Sequence, residues 1–114
     1  MNTLQQTTQI LFNYDLISTH EEFSTKWANK NKGWLAYTTH KQRDYSTDAA
    51  FNVLRETRKR INHLKHVRQR LGGIVEDTLR ALARVEALLL DYLKHKHSIV
   101  ECVLDESERI DKYW

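Results

Sequence analysis

The sequence contains no proline and only three glycines, so almost nothing in it interrupts a helix. Its single cysteine, Cys102, excludes an internal disulfide and fits a reducing compartment. No apolar run approaches the ~18 residues that a membrane-spanning helix needs, and the start lacks the basic and apolar regions of a signal peptide. These absences predict an all-α, cytoplasmic protein without a membrane segment.

Motifs that carry chemistry are also missing. The sequence has no glycine-rich phosphate loop, no G-x-S-x-G motif, and no H-E-x-x-H or C-x-x-C spacing. Two histidine pairs occur, His63 with His66 and His95 with His97, but a structural zinc site needs four suitably spaced ligands. We therefore expect no enzyme activity, no catalytic residues, no metal and no cofactor.

The sequence does contain an uneven distribution of charge. The chain of 114 residues has a net charge of +3, but residues 48–71 hold seven Lys or Arg against two Asp or Glu. Residues 74–114 hold six basic and nine acidic side chains. Because the local field rather than the total charge attracts phosphate groups, the basic segment indicates a polyanionic partner.

Three short helices are predicted ahead of residue 46. Helical spacing indicates the first helix over about residues 4–14. A capping box at Ser18 or Thr19, each followed by a glutamate three residues later, starts the second helix. Residues 29–33 then form a turn, because Asn and Gly tolerate left-handed backbone angles. The third helix follows over about residues 34–42.

Residues 18–42 resemble the helix-turn-helix of repressor-type DNA-binding proteins. That motif needs small residues where its helices cross, and two apolar residues on the second helix, 11 and 14 positions after the first apolar one. The matching residues here are Phe23, Ser24, Trp27, Ala28, Trp34 and Tyr37. Two features depart from the motif: Asn29 stands where glycine is usual, and Leu35 and Ala36 occupy early outward positions. A plain helical hairpin with an aromatic core explains the same residues.

The candidate DNA contacts come from two segments. In the turn and the third helix they are Lys30, Asn31, Lys32, Thr39, His40, Lys41, Gln42 and Arg43. In the basic segment they share one helical stripe and are Arg55, Lys59, His63, His66 and Arg70. Glu56 is the only acidic residue between Ala49 and Gly73, so few negative charges in this segment offset the positive charges of the stripe. A solvated surface without a ligand is the alternative interpretation.

The chain from residue 46 to residue 104 has helical apolar spacing, interrupted only by Gly72 and Gly73. The heptad register passes through these glycines, which permits one coiled-coil rod and would suit a structural assembly protein. However, two glycines cost about 2 kcal/mol inside a helix relative to alanine. The charges also favour a break, because Arg70 suits a helix end and Glu76 suits a helix start. An antiparallel hairpin is therefore favoured over the rod.

The predicted architecture is a single all-α domain. Residues 1–45 form a helix-turn-helix-like unit that packs on long helices over residues 47–104, and residues 105–114 form a polar tail. The leucines at 88–90 cover three faces of the last helix, which predicts burial within the monomer or in a homodimer through residues 74–104. The expected function is a small dimeric regulator that binds duplex DNA. The alternative is a protein–protein adaptor or inhibitor that uses the same stripe and the leucine-rich helix.

Overall fold

The computed structural model describes residues 1–96, and this part of the chain is built from helices and connecting turns. The elements are α1 (Thr3–Asn13), α2 (His20–Glu22), a π-helical turn (Phe23–Trp27), α3 (Trp34–His40), α4 (Thr47–Leu71), a 3-10 turn (Gly72–Val75) and α5 (Glu76–Lys96). The prediction of an all-α fold is confirmed. The predicted continuation of the last helix to residue 104, the tail, Cys102 and His97 lie outside the described residues.

The two long helices α4 and α5 form an antiparallel hairpin, as the favoured prediction had it, and not a continuous rod. The 3-10 turn joins them, and ion pairs cross between them at two levels. Arg58 Nε donates to Glu86 Oε2 at 2.9 Å, and nearer the turn Arg68 Nη1 donates to Glu76 Oε1 at 3.2 Å. The predicted break at the paired glycines is therefore confirmed.

Helix α5 packs against two other helices, α4 and α1. Its main apolar residues are at most 9% exposed: Leu79, Leu82, Val85, Leu89 and Leu93. Burial on more than one side, which the leucine-rich sequence predicts, is therefore provided within the monomer.

Asp44, in the connector between α3 and α4, holds the start of α1. Its Oδ1 accepts hydrogen bonds from Leu4 N and Tyr45 N, both at 2.8 Å, and its Oδ2 accepts one from Thr3 N at 3.0 Å. Asn2 adds a capping box at the same helix end. Backbone amides that a helix start leaves without partners are thus satisfied by a carboxylate about 40 residues away in the chain.

A series of aromatic rings connects the short helices to the hairpin. Phe23 stacks on Trp27 and on Trp34, with centroids 6.5 and 6.4 Å apart. Trp34 stacks on Tyr45 at 6.4 Å, and Tyr45 lies 6.0 Å from Tyr92 of α5. This series places the core between the short helices and the two long ones.

The orientation of α3 differs from the helix-turn-helix expectation. Leu35 is only 3% exposed, whereas Tyr37 is 56% exposed, so the prediction that Tyr37 lies inside and Leu35 outside was wrong. The cause is a hydrogen bond of 2.9 Å from Leu35 N to the buried Ser24 Oγ, which sets the first turn of α3 against the π-helical turn. Ser24 and Ala28 are fully buried, as close helix packing requires.

Candidate nucleic-acid interface

Helix α4 has two opposite faces. Its core face contains the buried residues Ala49, Ala50, Val53, Leu54 and Thr57. Its outer face contains the exposed residues Arg55, Lys59, His63, His66 and Arg70, which we term the α4 stripe. At 100° per residue these five side chains lie within an arc of about 80°, and neighbours four residues apart are separated by about 6 Å along the helix axis.

Ion pairs divide the basic side chains of α4 into two groups. Beside the stripe, Arg58 pairs with Glu86, Arg60 with Glu56, and Arg68 with Glu76. Within residues 1–96, no carboxylate pairs with Lys59, His63, His66 or Arg70. The nearby carboxylates therefore neutralise arginines outside the stripe and leave these four residues accessible to an external anion.

The N-terminal half of the α4 stripe forms one wall of a cavity of about 180 Å³, which we term the basic pocket. The residues around it are Thr25, Lys26, Trp27, Asn29, Asn52, Arg55, Glu56 and Lys59. Asn52 Nδ2 donates to Ala28 O at 2.9 Å and so holds α4 against the end of the π-helical turn. Three cationic side chains from two elements thus surround one cavity, with one carboxylate among them.

The carboxylate of the basic pocket already has a cationic partner. Arg60 Nε donates to Glu56 Oε1 at 3.3 Å, and the Arg60 guanidinium also lies over the Trp27 ring, 4.4 Å from its centroid. This cation–π contact keeps the Arg60 charge beside Glu56. The field inside the pocket is therefore dominated by its cations.

The π-helical turn and Asn29, two residues after it, build the second wall of the pocket. Ala28 N donates to Phe23 O, five residues back, at 3.0 Å, and Asn29 adopts a left-handed backbone with φ of 54°. Sequence reasoning did not identify Lys26, Asn29 or Asn52 as site residues. The capping box predicted an ordinary α-helix over this stretch, and no sequence signal marked the wider turn that brings Lys26 beside α4.

The predicted contacts in the turn before α3 lie outside the basic pocket. Lys30 pairs with Asp48 at the start of α4, and the Lys30 ammonium, followed by the Ser46 hydroxyl, lowers the pKa of the Asp48 carboxyl. Asn31 Oδ1 accepts from Gly33 N at 3.1 Å, so this side chain stabilises the turn itself. Lys32 is exposed to solvent.

The predicted contacts at the end of α3 are also separate from the pocket. These contacts are Thr39, His40, Lys41, Gln42 and Arg43. All five side chains are exposed, and none of them lines the basic pocket. Their segment is attached to α1, since Asn2 Nδ2 donates to Arg43 O at 3.3 Å. Arg43 instead lines a second cavity of about 170 Å³, together with Trp34 and Tyr37. The structure thus gathers part of the α4 stripe, but not the α3 residues, around the basic pocket.

Fold and site together define a small helical protein: a long hairpin covered by short N-terminal helices, with a basic surface on one hairpin helix. The chain belongs to the family of unknown function DUF6626, which matches residues 4–103. No curated protein and no solved structure matches it. None of the helices in the described part of the chain is long and apolar enough to cross a membrane.

Proposed function

We propose that this protein is a small regulator that binds duplex DNA through the α4 stripe. The observation that carries the proposal is the division of the basic side chains on α4. The arginines beside the stripe are paired, whereas four stripe residues, Lys59, His63, His66 and Arg70, have no carboxylate partner within the described residues. A basic surface without local compensation attracts the phosphates of a nucleic acid, and releases counterions when it binds them.

The α4 stripe suits the phosphate backbone better than the base edges. Lys59 offers a point charge, and the stripe contains no Asn or Gln to pair with adenine. Exposed polar residues at the end of α3, such as Thr39 and Gln42, supply limited base reading in this proposal. The proposal therefore assigns the main DNA contact to α4, and not to the helix-turn-helix-like segment that the sequence suggested.

Charge reversal at Lys59 tests the proposal. Binding of a random duplex at low salt is measured by fluorescence anisotropy for the wild type, Lys59→Glu and Lys65→Glu. Lys65 is the matched control because it is exposed on the same helix, about 120° around the axis from Lys59. We expect Lys59→Glu to weaken binding by about tenfold or more, and Lys65→Glu to change it by about threefold at most. Equal losses in the two variants, or no binding by the wild type, would contradict the proposal.

A protein–protein adaptor or inhibitor is the second candidate function. The observation that favours it is the exposed Tyr37, with Lys41 Nζ 5.8 Å from its ring centroid. Exposed aromatic side chains are enriched in protein interfaces. Purification from cells separates the two candidates: a nucleic-acid absorbance spectrum supports the DNA-binding proposal, and a stoichiometric protein partner supports the adaptor.

A further inference from the structure

We infer that the basic pocket binds one phosphate group of the nucleic acid and thereby anchors the strand at the N-terminal end of the α4 stripe. This inference rests on the proposed function in one respect: the proposed function identifies DNA as the molecule that carries the phosphate. The recognition itself depends only on the pocket, so free inorganic phosphate shares the chemistry and serves as the probe.

The charge in the pocket favours an anion. Lys26 and Lys59 face the cavity from different elements, and neither has a carboxylate partner among the described residues. Glu56 is already paired with Arg60. Lysine ammonium groups bind phosphate as point charges, and amide donors such as that of Asn52 add directional hydrogen bonds.

The pocket selects a phosphate rather than a base. Trp27 is 1% exposed, so its ring cannot serve as a stacking platform for a nucleobase. The Thr25 hydroxyl donates to Glu21 O at 2.8 Å, which leaves it no proton to offer to a ligand. Recognition therefore depends on the charge of Lys26 and Lys59, with the Asn52 amide as a directional donor.

The size of the pocket sets the size of the ligand. Its volume of about 180 Å³ is small beside the ~300–1,000 Å³ of typical small-molecule sites. A single phosphate fits this scale better than a whole nucleotide. The attached sugar and base then lie outside the cavity, along the surface of α4.

The walls of the pocket are held in place before any ligand arrives. The Asn52–Ala28 hydrogen bond and the Lys30–Asp48 ion pair fasten the residues after the π-helical turn to α4. Because the elements that carry the lysines are already positioned, binding has to order only their side chains.

Titration with inorganic phosphate, followed by ¹⁵N NMR, tests the inference in the whole chain. Wild type, Lys26→Gln and Lys65→Gln are compared, with chloride at equal ionic strength as the reference. Lys65→Gln is the control, because Lys65 is exposed on α4 outside both the stripe and the pocket. We expect saturable shifts at residue 26 and at the Asn52 side-chain amide in the wild type and in Lys65→Gln, and none in Lys26→Gln. The spectra also show directly whether each variant is folded.

A DNA titration with the same variants separates this inference from the proposed function. A plot of the logarithm of the binding constant against the logarithm of the salt concentration has a negative slope. Lys26→Gln should make this slope less negative by about 0.9, the value for one phosphate contact. Phosphate shifts spread evenly along α4, or unchanged phosphate binding in Lys26→Gln, would overturn the inference. If DNA binds but phosphate causes no NMR shifts at the pocket residues, the pocket inference fails and the proposed function stands. Phosphate binding in the pocket without DNA binding would instead support the pocket and contradict the proposed function.

Discussion

The buried hydroxyl of Tyr45 makes stability sensitive to alkaline pH. Its side chain is 3% exposed, and its hydroxyl lies 2.6 Å from Thr7 Oγ1. The two hydroxyls share a hydrogen bond inside the core, and Thr7 Oγ1 also lies within donating distance of the Thr3 and Leu4 carbonyls of α1. Burial raises the pKa of Tyr45 well above its ordinary value of 10.0, despite the opposing hydrogen bond with Thr7.

Tyr45→Phe should therefore make the loss of stability at high pH less steep. A raised pKa in the folded state means that the contribution of the neutral phenol is complete below about pH 10 and is lost as the pH rises further. Burial also raises the pKa of Tyr92, so part of the loss of stability at high pH persists in the Tyr45→Phe variant. Urea unfolding at about pH 8 and pH 11 measures the difference, with the exposed Tyr14→Phe as the control. An equally steep loss in Tyr45→Phe would show that another group is responsible.

At the scale of secondary structure, one side chain decides how α3 packs. The Ser24 hydroxyl donates to His20 O and accepts the amide of Leu35, both at 2.9 Å. This second bond draws Leu35 into the core and leaves Tyr37 on the surface. The helix-turn-helix pattern anticipated a small residue at Ser24 but not this hydrogen bond, so it assigned the wrong face of α3 to the core.

Ser24→Ala should lower the free energy of unfolding by about 1–3 kcal/mol, because it leaves the buried Leu35 amide without its acceptor. Thr25→Ala is a close control, since the Thr25 hydroxyl also donates to a carbonyl four residues back but accepts no amide. We expect the control to change stability by about 0.5 kcal/mol or less. Urea denaturation gives both values, and amide exchange in α3 locates the change. Similar values for the two variants would show that the Leu35 contact is not decisive.

At the scale of the whole molecule, the homodimer remains a prediction. Several residues that were expected to form it are already buried inside the monomer, so a dimer through residues 74–96 would use the outer face of α5. That face is exposed and consists of Arg80, Ala83, Arg84, Ala87, Asp91 and Lys94. Two α5 helices can pair antiparallel so that Asp77 of one copy lies opposite Lys94 of the other. In the same register Arg80 lies opposite Asp91. The alanines near the crossing allow close approach. Within one copy Arg80 pairs with Asp77 and Asp91 with His95, so the proposed dimer exchanges these exposed pairs for pairs between copies.

Exchanging charges on α5 tests this dimer. Arg80→Asp alone should raise the dimer dissociation constant several-fold, because each surface ion pair contributes about 0.2–1 kcal/mol and the two-fold axis repeats the pair. Arg80→Asp combined with Asp91→Arg should restore association. Sedimentation velocity distinguishes the 13.6 kDa monomer from the dimer. A monomer at every concentration, or no recovery in the double variant, would contradict this interface.

Features that depend on short stretches of chain were predictable from the sequence. The hairpin follows from the paired glycines and the charges on either side of them, and the α4 stripe follows from a fixed rotation of 100° per residue. Arg55 and Lys59 were identified in this way. Lys26 and Asn52 were not, because they meet only when the π-helical turn docks on α4.

The amino-acid sequence by itself thus determined that the protein is helical, where its long helices break, and which face of α4 is basic. Only the tertiary structure decided which cations are neutralised and which share a pocket, and which side of α3 is buried. The physical reason is distance along the chain. Helical periodicity and capping act over a few residues, whereas the Asp44 contacts with α1, the Ser24–Leu35 bond and the ion pairs across the hairpin join segments that only folding brings together.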